Sequence, residues 1–292
     1  MLILSVLPLT TPVADAIIQK LIVRLWINIK MVKSIRRLLH LLGIDIVRFK
    51  SNPAWNGTLA SVGSDKRPIG RMDHLLEDLK IRGLNCKTIL DVGAHSANWS
   101  RMAKKVYPYA DFCLIEPQIE MKEQLENFCI EFKDSIYFLS GAGAKNDVLT
   151  LTLFDDLGSS SFLPHSDAQL KHGGKQREIK IITIDDLINS EKIKPPELIK
   201  LDVQGFELEA LKGASKTFGY TEAYILEVSL FSFEDVPGMP IFSDVINFML
   251  ERGYVVYDFP GFLRRPLDGA LGQCDICFVK RNGFLRNSNS WN

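Results

Sequence analysis

The chain has 292 residues, of which 46% are hydrophobic and 24% charged, a balance that excludes a disordered or collagen-like polymer and fits a globular protein with a sizeable core. Thirty-five basic residues face thirty-five acidic ones, so the overall charge carries no footprint for nucleic acid and favours a small or neutral partner. The five cysteines, Cys86, Cys113, Cys129, Cys274 and Cys277, are odd in number and scattered, which argues against a disulfide framework and for a reducing, cytoplasmic setting.

The opening stretch MLILSVLPLTTPVADA is apolar but broken by Pro8 and Pro12, and it reaches Asp15 well short of the ~20 residues that span a bilayer. Ala14-Asp15-Ala16 has the spacing of a signal-peptidase site, yet no positively charged leader precedes it. From Ile17 to Leu42 apolar residues recur at helical spacing, with Lys20, Arg24, Lys33, Arg36 and Arg37 interspersed. This predicts amphipathic helices that either pack on the body or rest on a membrane surface. Met31 begins a stretch that reads as a natural start, which would make residues 1–30 an extension. The organisation expected is a helical extension over 1–50, a Ser/Gly/Asn/Pro-rich linker over 51–70, a main domain over 71–284 and a tail over 285–292.

Strands are expected at 87–92, 111–116, 135–141, 197–203, 223–229, 254–259 and 274–280, several of them continuous apolar runs as in strands covered on both faces. Helical patterns lie between them at Asn98–Val106, Gln118–Phe128, Phe206–Lys212 and Ile241–Glu251, with Gly213 expected as a left-handed cap. Such alternation predicts an α/β fold with a doubly wound, mostly parallel sheet. Two further segments, 148–154 and 178–184, flank a long loop and read as an inserted hairpin or lid arm. Cys274 and Cys277 have the spacing of a zinc knuckle or redox pair, but they sit in a strand pattern that sends i and i+3 to opposite faces. Two buried thiols are expected there.

In ILDVGAHSANWS, Asp91 ends a strand, Gly93 makes a tight turn, and Asn98 stands where a side chain can cap helix amides. A dinucleotide site would need G-x-G-x-x-G here to seat two phosphates. An acid followed by one glycine suits a cationic amino acid moiety instead. Glu116 ends the next strand, where a carboxylate can accept both hydroxyls of a ribose. An acid for an ammonium and an acid for a ribose together describe S-adenosyl-L-methionine.

The motifs DVGAHSANWS, IEP, ITIDDL, IKLDVQGFELEALKGA, ILEVSLF and QCDICFVK, in that order over roughly residues 70–282, resemble the FkbM-type methyltransferases of class I. The resemblance implies a Rossmann-like seven-stranded sheet with a final reversed strand, S-adenosylmethionine as donor, and an oxygen acceptor. It places Asp91, Gly93 and Ala94 at the methionine end, Glu116 at the ribose, Gly141, Ala142 and Gly143 on the adenine side, and Asp202 beside the transferring methyl. His95 and Asn98 join the cofactor-binding set. A glycine expected near the first turn is Ala97 here.

In-line attack by a hydroxyl benefits from a base. Candidates are Asp202, then Glu227, then His165 or His172 from the long loop; Asp202 has the alternative role of capping the helix near Phe206. Ser159, Ser160 and Ser161 could bind a polyhydroxy acceptor such as a sugar, or form a plain turn. No second acid lies at a fixed short spacing from Asp202, so no metal ligands are assigned. Two other readings stay open, a nicotinamide-dependent oxidoreductase and a non-catalytic membrane-docked module.

Overall fold

The structure is a computed structural model that describes residues 69–164, 174–233, 236–288 and 290, all within the unit Val62–Asn292. The amphipathic helices expected over 17–42, most of the linker, and His165 and His172 lie outside the described residues. Among the described residues no helix is long and apolar enough to cross a membrane.

The expected alternation forms one seven-stranded sheet. In chain order its strands are β1 (Thr88–Val92), β2 (Asp111–Glu116), β3 (Ser135–Leu139), β7 (Leu198–Leu201), β8 (Ala223–Ser229), β9 (Tyr254–Arg264) and β10 (Leu271–Lys280). They lie in the order β3-β2-β1-β7-β8-β10-β9. Pairing is parallel from β3 to β8, whereas β10 runs antiparallel to both β8 and β9. The last strand is therefore the reversed one.

Each face of the sheet carries its own core. Leu90, Val92, Ile199, Leu201, Leu226 and Cys274 point to one side, where α4 (Ile184–Asn189), α5 (Glu207–Lys212) and α6 (Phe242–Glu251) cover them. Ile89, Leu114, Leu198, Ile225 and Cys277 point to the other, beneath α1 (Met72–Ile81), α2 (Asn98–Val106) and α3 (Lys122–Glu131). This is the period of two expected of strands buried on both faces. It also separates the two thiols of the C-x-x-C segment, both buried and free, into opposite cores.

Several expectations change. The segment 135–141 is not one strand: the chain leaves the main sheet after Leu139, and Gly141–Ala142 (β4) joins a second sheet of order β4-β6-β5. Here β5 (Asp147–Leu153) and β6 (Lys175–Ile182) pair antiparallel from Asp147↔Ile181 to Leu153↔Lys175, so the inserted arm is a hairpin as expected. Its second strand stops at Ile182, because the Thr183 hydroxyl accepts a hydrogen bond from Asp186 N (3.0 Å) and starts α4. A helix also occupies Met72–Ile81, where none was assigned; it buries Leu75, Leu76 and Leu79.

Gly213 is not a left-handed cap, since its φ is −89°. A glycine is required there by proximity: a Cβ would stand 2.0 Å from the carbonyl oxygen of Gly143, at the root of the arm. Gly213→Ala is expected to destabilise the fold by about 3 kcal/mol, the upper range for overpacked sites, in urea unfolding monitored by circular dichroism.

Candidate active site

Strand order reverses between β1 and β7, and at such a point the helices on either side diverge and leave a crevice at the carboxyl ends of the strands. The face covered by α1–α3 is apolar through most of its height. Toward the crevice it becomes charged, with Asp91 following Ile89, Glu116 following Leu114, Lys200 following Leu198, and Glu227 following Ile225. Asp275 of β10 lies directly opposite Glu227, and Asp91 is the register partner of Lys200.

Lys200 is the hub of this cluster. Its side chain is buried, and its Nζ lies 2.8 Å from Asp202 Oδ2 and 6.0 Å from the centre of the Trp99 ring. Burial alone would lower its pKa, but the charges of Asp202, Asp91 and Asp275 together hold it at about 12. The reciprocal effect is seen on Asp202: burial raises its pKa, yet Lys200 and the Gln204 amide overcome this and bring it below the ordinary carboxylate range.

Asp202 follows the end of β7 and does not cap α5. Glu207 captures the intervening turn instead, its Oε1 accepting from Val203 N (3.0 Å) and Gly205 N (3.3 Å). The turn places Gln204 in the left-handed region (φ 51°). From there the Gln204 Nε2 donates to Asp202 Oδ1 (3.0 Å) and to Glu227 Oε2 (2.7 Å), joining the two acids through one nitrogen. Gln273 Nε2 donates to the same Glu227 oxygen at 3.3 Å. Burial first, then the charge of Asp202, pushes the Glu227 pKa up to about 9. The pair is split: Asp202 is ionised at neutral pH and Glu227 carries a proton.

The first turn brings the two strand tips together. Gly93 has φ 77°, and a Cβ on it would stand 1.9 Å from the carbonyl oxygen of Asp202, so no other residue fits. His95 N donates to Glu116 Oε2 (2.7 Å) and Gln118 N to Glu116 Oε1 (2.9 Å). Burial outweighs these bonds and raises the Glu116 pKa to about 7.

A cavity of about 260 Å³ occupies the crevice, with Glu116 at its wall near the tip of β2 and Asp202, Gln204 and Glu227 at its wall near β7 and β8. Gly93, His95, Gly141 and Ala142 also line it, and the arm covers it with Leu151, Leu157, Ser160 and Phe162. Buried polar atoms of four lining residues lack any partner: His95 Nε2, Gln118 Oε1, Ser140 Oγ and Ser160 Oγ. The arm is held over the cavity by Gln118 Nε2 donating to Leu157 O (3.1 Å), Ser161 Oγ donating to Gln204 O (2.7 Å), and a two-bond Arg177–Glu120 ion pair.

Four expected site residues, Asp91, Ala94, Asn98 and Gly143, are not among those lining this cavity. Asp91 is wholly buried below it; Oδ2 accepts from Ser100 Oγ (2.6 Å), and Oδ1 has no hydrogen-bond partner. Alternation, together with the Ser100 bond, turns its carboxylate toward α2 and Lys200. Ala94 is buried beside it. Asn98 is exposed and caps nothing, because the cap position belongs to Ala97 (φ 59°), which has no side chain to offer. Ser160 lines the cavity, and Gly158 does too, whereas Ser159 and Ser161 face a neighbouring one. The residues missed from sequence are Lys200, Gln204, Gln118, Ser140 and Gln273. A charge inside an otherwise apolar strand, two residues before Asp202 and so on the same side, was the available signal for Lys200.

Comparison with known families gives a match over residues 91–256 to the methyltransferase FkbM domain. The chain belongs to this family. No curated protein matches it in sequence. Among solved structures, this FkbM-family chain is similar to methyltransferase FkbM from Methylobacillus flagellatus, with 19% identity, 65% of this chain and 43% of that chain covered, and a TM-score of 0.41. It thus spans less than half of that protein. It is also similar to precorrin-6y C5,15-methyltransferase from Geobacter metallireducens (10% identity, 71% and 86% covered, TM-score 0.40). A third is the O-methyltransferase TomG from Streptomyces achromogenes (9% identity, 71% and 78% covered, TM-score 0.41).

Removing the hub charge tests the electrostatic account. In Lys200→Met, Asp202 loses the cation that holds its pKa down and rises above the unfolded ~3.9, and Asp91, which burial already raises, climbs further. The folded state then binds more protons than the unfolded state, and stability falls as pH rises. Urea unfolding should show a deficit of about 3–5 kcal/mol at pH 8 that shrinks toward pH 5.

Proposed function

We propose that this FkbM-family chain is an S-adenosylmethionine-dependent methyltransferase that methylates a hydroxyl oxygen on a sugar, glycan or natural product. One observation carries the reading: a single crevice has a hydroxyl-accepting carboxylate, Glu116, in one wall and a split acid pair, Asp202 and Glu227, in another, with unpartnered polar atoms between them.

The residues present fit the cofactor. Glu116 would accept the ribose hydroxyls. Gln118, Ser140 and Ser160 supply unused polar atoms beside Gly141 and Ala142, as a base edge needs. His95, Gly93 and the uncapped first turn of α2 would face the amino acid end, where free helix amides favour a carboxylate. The buried Asp91 supports that end from behind, through Ser100 and Lys200. When bound, the cofactor supplies an electrophilic methyl group on a sulfonium.

The chain's own contribution is positioning and proton control. Fixing a hydroxyl in a near-attack geometry is worth roughly 7–11 kcal/mol. Asp202, ionised and held by Lys200 and Gln204, takes the hydroxyl proton as the oxygen attacks. Glu227, protonated and held at Oε2 by two amides, keeps its other oxygen for a hydrogen bond to the acceptor.

Calorimetry with S-adenosylhomocysteine should show binding, with affinity falling as pH drops through about 7, because a protonated Glu116 accepts hydroxyls poorly. Glu116→Gln should remove that pH dependence; absence of binding at any pH would end the proposal. Asp202→Asn should lower methyl transfer by about 10²–10⁴-fold in a labelled-donor assay while the thermal unfolding transition remains.

A further inference from the structure

A second cavity, of about 340 Å³, opens beside the first. Gln204 belongs to the walls of both, and it is the residue that joins Asp202 to Glu227. The arm forms one side of the second cavity with Phe154, Asp156 and Ser159. The chain between β8 and α6 forms the other with Phe233 and Met239, and Gln273 of β10 closes it.

We infer that this second cavity is the acceptor site, and that it takes a hydroxyl compound with an apolar face and no negative charge. The inference rests on the methyl-transfer reading above. Position supports it first. Gln204, shared by the two cavities, is bonded to both Asp202 and Glu227, so a hydroxyl placed against Gln204 lies next to the proton-handling pair and leaves the first cavity to the cofactor.

The lining supplies the rest. Phe154, Phe233 and Met239 present ring and thioether surface, which favours a molecule with a flat apolar side. Among them, Ser159, Gln204 and Gln273 provide the few directed polar groups that orient a ligand in a mostly apolar pocket. A third cavity, of about 270 Å³, adjoins through Glu227 and Gln273 and includes Asp275. Around the three cavities stand Asp156, Asp202, Glu227, Asp275 and Glu116, and none of the described lining residues is a lysine or arginine. Lys200 lies beneath this surface, paired with Asp202. A phosphate or carboxylate on the acceptor would lose its hydration facing carboxylates and gain no cation from the described lining. A neutral or ammonium-bearing acceptor meets no such penalty.

The test uses the full chain, methyl-labelled S-adenosylmethionine and four probes: methyl glucoside, phenyl glucoside, glucosamine and glucose 6-phosphate. Label is expected in the first three, each about tenfold or more above the phosphate in kcat/KM, with phenyl ahead of methyl glucoside. Phe233→Ala and, separately, Phe154→Leu should erase the lead of the phenyl compound while S-adenosylhomocysteine affinity stays within about twofold. Preference for the phosphate, a phenyl lead untouched by both variants, or no label in any probe despite bound S-adenosylhomocysteine would overturn the acceptor assignment alone. Failure to bind S-adenosylhomocysteine would instead remove the methyltransferase reading beneath it.

Discussion

The ion pair between Lys200 and Asp202 sets the terms for everything at the mouth of the sheet. Asp91, Glu116 and Glu227 toward the carboxyl ends of parallel strands, Asp275 on antiparallel β10 and Asp202 one residue beyond β7 gather negative charge in a poorly hydrated space. Without a cation these groups would take up protons rather than remain charged. One buried ammonium, placed two residues before Asp202 on the same side of β7, allows one acid of the Asp202–Glu227 pair to stay ionised. The neighbour then holds the proton. The same stretch of chain thus supplies the counter-charge and the ionised acid, which ties the protonation pattern to the register of β1 on β7.

Backbone strain is concentrated where this chemistry sits. Among the described residues, His95, Ala97, Glu191 and Gln204 are the non-glycine positions with positive φ, and all but Glu191 lie at the tips of β1 and β7. Each costs about 1–3 kcal/mol and persists when the surroundings over-determine it. At Gln204 the surroundings are explicit: its carbonyl accepts from Ser161, and its amide is spent on two carboxylates. The strained turn is thereby coupled to the arm that roofs the cavity.

Much of the scaffold was legible in the sequence, because strands buried on both faces leave apolar runs and the intervening helices leave their own period. Asp202, Glu116, Gly93 and Glu227 were legible for a related reason: polar residues that end such runs fall at the carboxyl ends of strands. What stayed hidden depended on side-chain placement. Asp91 has the same strand-end signature as Glu116 and faces the same side, yet it lies level with Leu114, one repeat below the tip, where Ser100 holds it in the core. Lys200 reads as an interruption of an apolar run until its neighbours across β1 and β10 are known. Gln118, Gln204 and Gln273 act through amide groups whose partners lie on other elements, and no local spacing encodes them. The break after Leu139 was missed because Ser140 and Gly141 continue the extended pattern while changing sheets.

The arm leaves the main body after β4 and returns at Thr183, and these two ends are already tied, with Gly143 N donating to Ile182 O at 3.1 Å. Polypeptide that departs and re-enters through one doorway adds little closure entropy to the folding of what lies behind it, since doubling a loop costs only about 0.6 kcal/mol. The segment that roofs the first cavity and walls the second can therefore be lengthened, shortened or exchanged with the seven-stranded body left intact. Descendants of one ancestral chain could in this way acquire new tastes in substrate by rewriting a single excursion.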